Sequence, residues 1–260
     1  MTAQIGEVLN LFAAGVLFPL MLAPLAALIA PRTGLYSAAV WAGLVLAIIA
    51  ACAAFAELAV DLSPLSVSTP LIFVLAGALI SIGAMIATRG AAHVSESFAR
   101  PLGAFTRKIG EATLWLVLAM ALVQFAVVIL RYVFGVNFIF MQEGVTYLHG
   151  AVFLLAAGYA LLTDDHVRVD IFYRDASARH KALVDFIGTY IFLFPFCLVI
   201  FWSASPYVGA SWVVREGSTE QSGIQGVFLL KSLIPAYALL LSMAGFVLAT
   251  RAAKTLRGER

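Results

Sequence analysis

The stretch ATLWLVLAMALVQFAVVIL, Ala112 to Leu130, decides the fold. It carries no charge over its whole length and is bounded by Arg107-Lys108 and Glu111 before it and Arg131 after it. A bilayer core of roughly 30 Å is crossed by about 20 mostly apolar residues in a helix, so this stretch spans a membrane. Working outward, six more segments of the same kind stand on either side. Val8–Ala30, Leu35–Leu58 and Pro70–Thr88 precede it, and Gly144–Thr163, Leu183–Tyr207 and Val227–Thr250 follow. Lipid offers no partner to an unpaired backbone group, and the segments are too long and too continuously apolar for alternating barrel strands. The expected class is all-α, a polytopic integral membrane protein with about seven transmembrane helices.

The charges orient this ladder. Of 16 Lys and Arg, Arg32 lies between the first two segments, and Arg89, Arg100, Arg107 and Lys108 between the third and fourth. Arg168, Arg174, Arg179 and Lys181 lie between the fifth and sixth, and Arg251, Lys254, Arg257 and Arg260 after the seventh. The alternate connections keep only Arg131, Arg215 and Lys231. Basic residues near segment ends are retained on the cytoplasmic side, which places the N-terminus outside and the C-terminus in the cytoplasm. Met1–Asn10 has no Lys or Arg, and the apolar run behind it contains Pro19 and Pro24 without a clear cleavage signature. The first segment is therefore expected to stay rather than be removed as a signal peptide.

Composition narrows the function. With 63% hydrophobic and 12% charged residues, the chain lies far from a soluble domain. Its net charge of +2 is spread over separate short connections, which suits the cytoplasmic bias and not nucleic-acid binding. Cys52 and Cys197 sit inside apolar segments, where a thiol behaves as a small hydrophobe. The four histidines, His93, His149, His166 and His180, are scattered, so the paired spacing of a b-type haem and the clustered ligands of zinc or iron–sulfur sites are not expected. No cofactor is expected, although anionic phospholipid suits the cytoplasmic Arg and Lys.

Composition shifts once, at Arg89–Lys108, which divides the chain into a three-helix extension (1–100) and a four-helix domain (101–260). In the extension Gly77, Ser81 and Ala84 recur near helical spacing, as close packing in lipid requires. Polar features gather in the second part. Between its first two spans runs Arg131-Tyr132-Val133-Phe134-Gly135, followed by Gln142-Glu143. Gly135 suits the positive φ of a tight reversal, and Arg131 is expected to pair with Glu143 across it, which lowers the cost of holding either charge near hydrocarbon.

The run Asp164-Asp165-His166-Val167-Arg168-Val169-Asp170 alternates in sign, as a wet surface element with one apolar edge would. Asp165, His166 and Asp170 are read as a structural group and not as a metal or catalytic site. The connection Trp212 to Gly226 is polar and rich in Gly and Ser, and Arg215, Glu216 and Glu220 there are candidates for docking a soluble partner. Within the seventh segment Pro235 cannot donate to the carbonyl of Lys231, so a kink is expected. Lys231 itself should snorkel to the interface first, with Glu216 or Glu220 as its second choice of partner and another subunit as its third.

Taken in order, Arg131-Tyr132-Val133-Phe134-Gly135, Gln142-Glu143 and Asp164 to Asp170 resemble the small membrane subunit of tripartite ATP-independent periplasmic (TRAP) transporters over about Phe105 to Ala253. Asp164–Arg174 and Glu216–Pro235 are most similar to the mannitol/chloroaromatic compound branch. The resemblance implies a scaffold in the bacterial inner membrane that assembles with and stabilises a large elevator subunit. It also implies sodium-coupled import of an organic acid or similar small anion delivered by a periplasmic substrate-binding protein. On that basis Arg131, Gly135 and Glu143 would secure the first hairpin, Asp165, His166 and Asp170 the cytoplasmic connection, and Lys231 with Pro235 the last helix. The residues at membrane depth agree with a scaffold, since only Gln124, His149 and isolated Ser or Thr occur there, without the broken-helix polar cluster of a transport site. A stand-alone carrier or channel, or a cofactor-binding membrane enzyme subunit, is the competing reading.

Overall fold

The computed structural model describes the backbone of residues 12–58, 69–165 and 173–259, and the side chains of 12–50, 73–165 and 173–259. His166 and Asp170 lie outside the described residues, as does the side chain of Cys52. Every regular element described is helical, and seven helical stretches coincide with the seven apolar segments. They are α1 (Ala13–Ile29, in three short pieces), α2 (Leu35–Leu58), α3 (Thr69–Arg89) and α4 (Ala91–Tyr132), then α5 (Ile139–Thr163), α6 (Ala178–Val214) and α7 (Val227–Leu256). The protein is all-α and polytopic. The helices α4 to α7 are long and apolar enough to cross a membrane, while the described apolar parts of α1, α2 and α3 are shorter.

The stretch Arg89–Lys108, read from composition as a connection, is mostly helix. Only Gly90 interrupts it, at φ +85°, and α4 then runs for 42 residues through Pro101. Good helix formers flank the proline, and its ring is tolerated where tertiary packing holds the helix on both sides.

Two compact units are recognised. The first contains residues 102–165 and 193–245, and the second contains 12–58, 69–101, 173–192 and 246–259. In the first unit, small residues let helices approach closely. A Cβ at Gly158 of α5 would lie 2.8 Å from the Leu240 carbonyl oxygen of α7 and 3.0 Å from Thr106 Cγ2 of α4. One turn further along α4, Gly110 faces the ring of Tyr159. Without a hydrophobic force between helices in lipid, such contacts supply the packing. The hydroxyls of Thr106 and Thr113 donate back to the carbonyls of Leu102 (3.0 Å) and Gly110 (2.6 Å), so neither polar group is orphaned.

In the second unit α1 packs on α2 and α3, and α2 packs on α3. Gly77, Ser81 and Ala84 do not carry that packing; all three are exposed, and the buried face of α3 is instead Ile82 and Ile86, with Gly83 against the ring of Trp41. The α1 helix is broken at Leu22, between Pro19 and Pro24, and side chains repair the break. The Trp41 indole donates to the Pro19 carbonyl at 2.9 Å. The Tyr190 hydroxyl donates to the Met21 carbonyl (2.7 Å) and accepts from the Leu25 amide (3.2 Å), sitting between a donor and an acceptor that would otherwise bond directly. Ala182, Phe186, Ala249, Ala252 and Ala253 form a core cluster, with Leu25, Leu28, Tyr190 and Leu256 around it. The connections read as lying on one membrane side also meet here, because Thr33 approaches Gly90 and Arg257 lies 3.8 Å from Glu96.

Candidate functional site

Two helix ends and one loop of the first unit build the site. The α4 helix stops at Tyr132, and Gly135 at φ +67° provides the expected reversal. The amides of Val133 and Val136 return to the carbonyls of Ile129 and Leu130, each at 2.9 Å. The Gln142 amide donates to Asn137 Oδ1 at 2.5 Å, bracing the turn from the α5 side.

Glu143, in the second turn of α5, does not pair with Arg131. Its carboxylate accepts the Ser218 hydroxyl and, at 2.6 Å, the Ile224 amide, both in the connection between α6 and α7. Arg131 lies 5.9 Å over the ring of its neighbour Tyr132, exposed in the last turn of α4, where a cation suits the carbonyl end of a helix. The expected ion pair fails for a physical reason. A loop with unpaired donors needs an acceptor more than a hydrated, interfacial arginine needs a partner. A Cβ at Gly223 would lie 2.7 Å from Glu143 Oε1, so glycine there opens the space that the carboxylate enters.

The same connection is closed at its base. Arg215 takes φ +47°, the left-handed conformation that ends α6, and its amide and that of Glu216 return to Trp212 O (3.3 Å) and Ser211 O (3.0 Å). The Glu216 carbonyl accepts from the Phe228 amide at 3.3 Å, and its carboxylate meets Lys231 Nζ at 2.5 Å. Lys231 also stands 4.1 Å from the centroid of Tyr207. The expected snorkelling is thus corrected: the ammonium is directed to a carboxylate and an aromatic face, both offered one helix away. Beneath this pair the Trp212 indole donates to Ser232 Oγ at 2.7 Å, and the Ser232 hydroxyl donates to Phe228 O at 2.8 Å. The α7 helix continues through Pro235 as one element.

The result is two hairpin ends joined by two carboxylates. Between Glu143, Tyr147, Glu216 and Thr219 lies a shallow cleft of about 300 Å³. Of the residues expected to dock a partner, Arg215 and Glu220 are exposed, whereas Glu216 is engaged by Lys231. Ser218, Tyr207, Trp212 and Ser232 were not singled out from sequence. Trp212 and Ser232 carry a legible signal, a polar atom on each side of one polar connection. Ser218 looks like any other loop serine.

At the other end of α5, Asp164 takes φ +63° and caps the helix. The Asp165 amide bonds to Ala160 O at 3.0 Å, and its carboxylate accepts the Thr163 hydroxyl. Asp165 therefore works locally, in closing the helix. Among the described residues no three His, Cys, Asp or Glu side chains come together as metal ligands would.

Glu216 makes a pH test available. The Lys231 ammonium holds its carboxyl below the ordinary value of 4.5. A group whose folded pKa is depressed adds stability above its unfolded pKa, and that stability is lost as pH falls through the folded value. The thermal stability of the wild type should therefore exceed that of Glu216→Gln by a constant margin above about pH 4.5. Below that value the margin should close, and Trp212 fluorescence can follow the local change. A margin independent of pH would show that the charge of Glu216 is not what holds Lys231.

The geometry describes a helical membrane protein whose polar groups hold helix ends together. The family model described as "Tripartite ATP-independent periplasmic transporters, DctQ component" matches residues 120–258, more than half of the chain, and the chain belongs to that family. It is a transporter component and not an enzyme. A protein of Vibrio cholerae serotype O1, the C4-dicarboxylate TRAP transporter small permease protein DctQ, is 32% identical over 92 residues. That match covers 35% of this chain and 40% of the Vibrio protein. No solved structure matches the chain.

Proposed function

We propose that the chain is the small, fixed subunit of a TRAP transporter in the bacterial inner membrane. In this reading it assembles with and stabilises a large elevator subunit, which imports an organic acid or similar small anion on a sodium gradient. A periplasmic binding protein delivers the substrate to the face that bears Arg215 and Glu220. The observation that carries the reading is the use of Glu143 and Lys231. The charged side chains of Glu143 and Lys231, at helix ends of the first unit, are engaged with Ser218, Ile224 and Glu216, so they brace hairpins. Gln124 and His149, the polar side chains at membrane depth, are exposed on helix surfaces and do not converge on a cavity.

The exposed face of α4 supports a partner of similar chemistry to lipid. Leu114, Trp115, Leu118, Leu122 and Phe125 are each at least half exposed and fall near helical spacing. A large membrane subunit or lipid would cover them. The mannitol/chloroaromatic branch remains part of the proposal, carried by the likeness of Glu216–Pro235. The test is purification of the tagged chain from native membranes in mild detergent, with mass spectrometry of what accompanies it. A near-stoichiometric large membrane partner is expected, with no flux from the chain alone in liposomes. Glu143→Ala should reduce recovery of that partner several-fold. Substrate flux by the chain alone would replace the scaffold reading with that of a carrier.

A further inference from the structure

A second cavity, of about 380 Å³, lies at the start of α6 in the second unit, lined by Ser177, Arg179, His180, Leu183 and Leu256. Among the described residues its charged side chains have no partner. Lys181 donates to the Arg174 carbonyl at 2.8 Å, and Asp185 accepts the Tyr173 hydroxyl at 2.8 Å. Arg257 is held by Glu259 at 2.9 Å. The side chains of Arg179 and His180 have no hydrogen bond or ion pair among the described residues, and both are exposed.

The row that continues from Arg179 is ordered along the helix. Leu183, Ile187 and Ile191 follow at intervals of four, and they are 43%, 44% and 60% exposed. Residues four apart share one helix face. At 1.5 Å per residue, Arg179 to Ile191 spans about 18 Å, close to one leaflet of a roughly 30 Å hydrocarbon core. A cation therefore heads an apolar row one leaflet long, and the cavity lies at its head. A soluble anion would need only the head, and a protein partner would need no such lengthwise order.

We infer that this groove holds one anionic phospholipid of the cytoplasmic leaflet. Its phosphate sits between Arg179, His180 and Ser177, and an acyl chain lies along Leu183, Ile187 and Ile191. Anionic headgroups of that leaflet attract basic residues placed at the surface, and a guanidinium recognises phosphate by paired hydrogen bonds. The inference rests on the inward orientation of the basic connections and not on the transport role. Labelling of a cysteine placed at Ala176 from either side of the membrane reads that orientation separately.

The experiment is native mass spectrometry of the full chain released from nanodiscs of phosphatidylcholine with phosphatidylglycerol. The wild type should retain one phosphatidylglycerol in preference to phosphatidylcholine. Arg179→Gln combined with His180→Gln should lower that retention several-fold, Arg179→Lys should keep most of it, and Ile187→Asn should lower it with the cation intact. The substituted residues are exposed, and an unchanged melting temperature in pure phosphatidylcholine confirms folding. Equal retention of the two lipids, or retention unchanged in the double variant, overturns the inference. So does complete displacement by millimolar inorganic phosphate, which would make the site one for a free anion.

Discussion

Gly158→Leu is expected to abolish most of the folded protein. A Cβ at this position would already press on the Leu240 carbonyl oxygen at 2.8 Å and on Thr106 Cγ2 at 3.0 Å. The first of these is backbone in the middle of α7 and cannot rotate away. Overpacking by a few methylenes costs about 1–3 kcal/mol where side chains can adjust. Against backbone, a loss near or above the upper figure is expected from a total of only about 5–15 kcal/mol. Gly158→Ala should be milder but still destabilising. Monodisperse yield and melting temperature in detergent measure both. If Gly158→Leu melts within a few degrees of the wild type, α5 and α7 do not pack as described.

Tyr190→Phe should be the second most damaging change, although it removes a single oxygen. The ring stays against Phe186, with centroids 4.7 Å apart, so packing is kept. The Met21 carbonyl and the Leu25 amide lose their common partner. An unsatisfied buried backbone group costs about 1–3 kcal/mol, and lipid offers nothing in its place. The helix can recover part of this only by closing Leu25 directly onto Met21. That would move Leu25 and Leu28 relative to the cluster of Ala182, Phe186, Ala249 and Ala253. Limited proteolysis and melting temperature should both report a loosened second unit. A variant as stable as the wild type would show that the hydroxyl is not the keystone of the break. Trp41→Phe, which removes the donor to Pro19, then distinguishes one bridging residue from two.

Much of the fold was legible because hydrocarbon is an unforgiving solvent. Seven apolar segments had to become seven helices, and the uncharged stretch from Ala112 to Leu130 had no other form open to it. The extent of α4 was less legible. Residues 91–108 are polar, but polarity and helicity are independent there, and composition marks the stretch without showing that it is helix. The break in α1 was half visible in Pro19 and Pro24, yet nothing local identifies Tyr190, 165 residues beyond Leu25, as its partner.

The site follows the same division. Gly135 was readable because a positive φ has one ordinary tenant. Glu143 reads from sequence as a partner of Arg131, whereas the structure places it on the connection between α6 and α7. The assignment favoured the nearest opposite charge in sequence, whereas the carboxylate serves a serine hydroxyl and a backbone amide about 80 residues on, and a backbone amide has no signature in any sequence. Lys231 was ranked for snorkelling first because side-chain length is visible in a sequence and the proximity of α6 is not. The stripe of Gly77, Ser81 and Ala84 is real as a pattern, but among the described residues nothing packs closely on it.

The bridge made by Tyr190 also has a place in time. Ribosomes add about 5–20 residues per second, so roughly 8–33 seconds pass between the synthesis of Leu25 and that of Tyr190. Throughout that interval the hydroxyl that completes α1 does not exist. The nascent helix has a cheap provisional solution, a direct hydrogen bond from Leu25 to Met21, although Pro19 and Pro24 already weaken the ladder around it from the start. The bridge from Met21 to Leu25 is then a late feature of biogenesis, made when the sixth helix arrives, and a ribosome stalled short of residue 190 would leave the first helix without it.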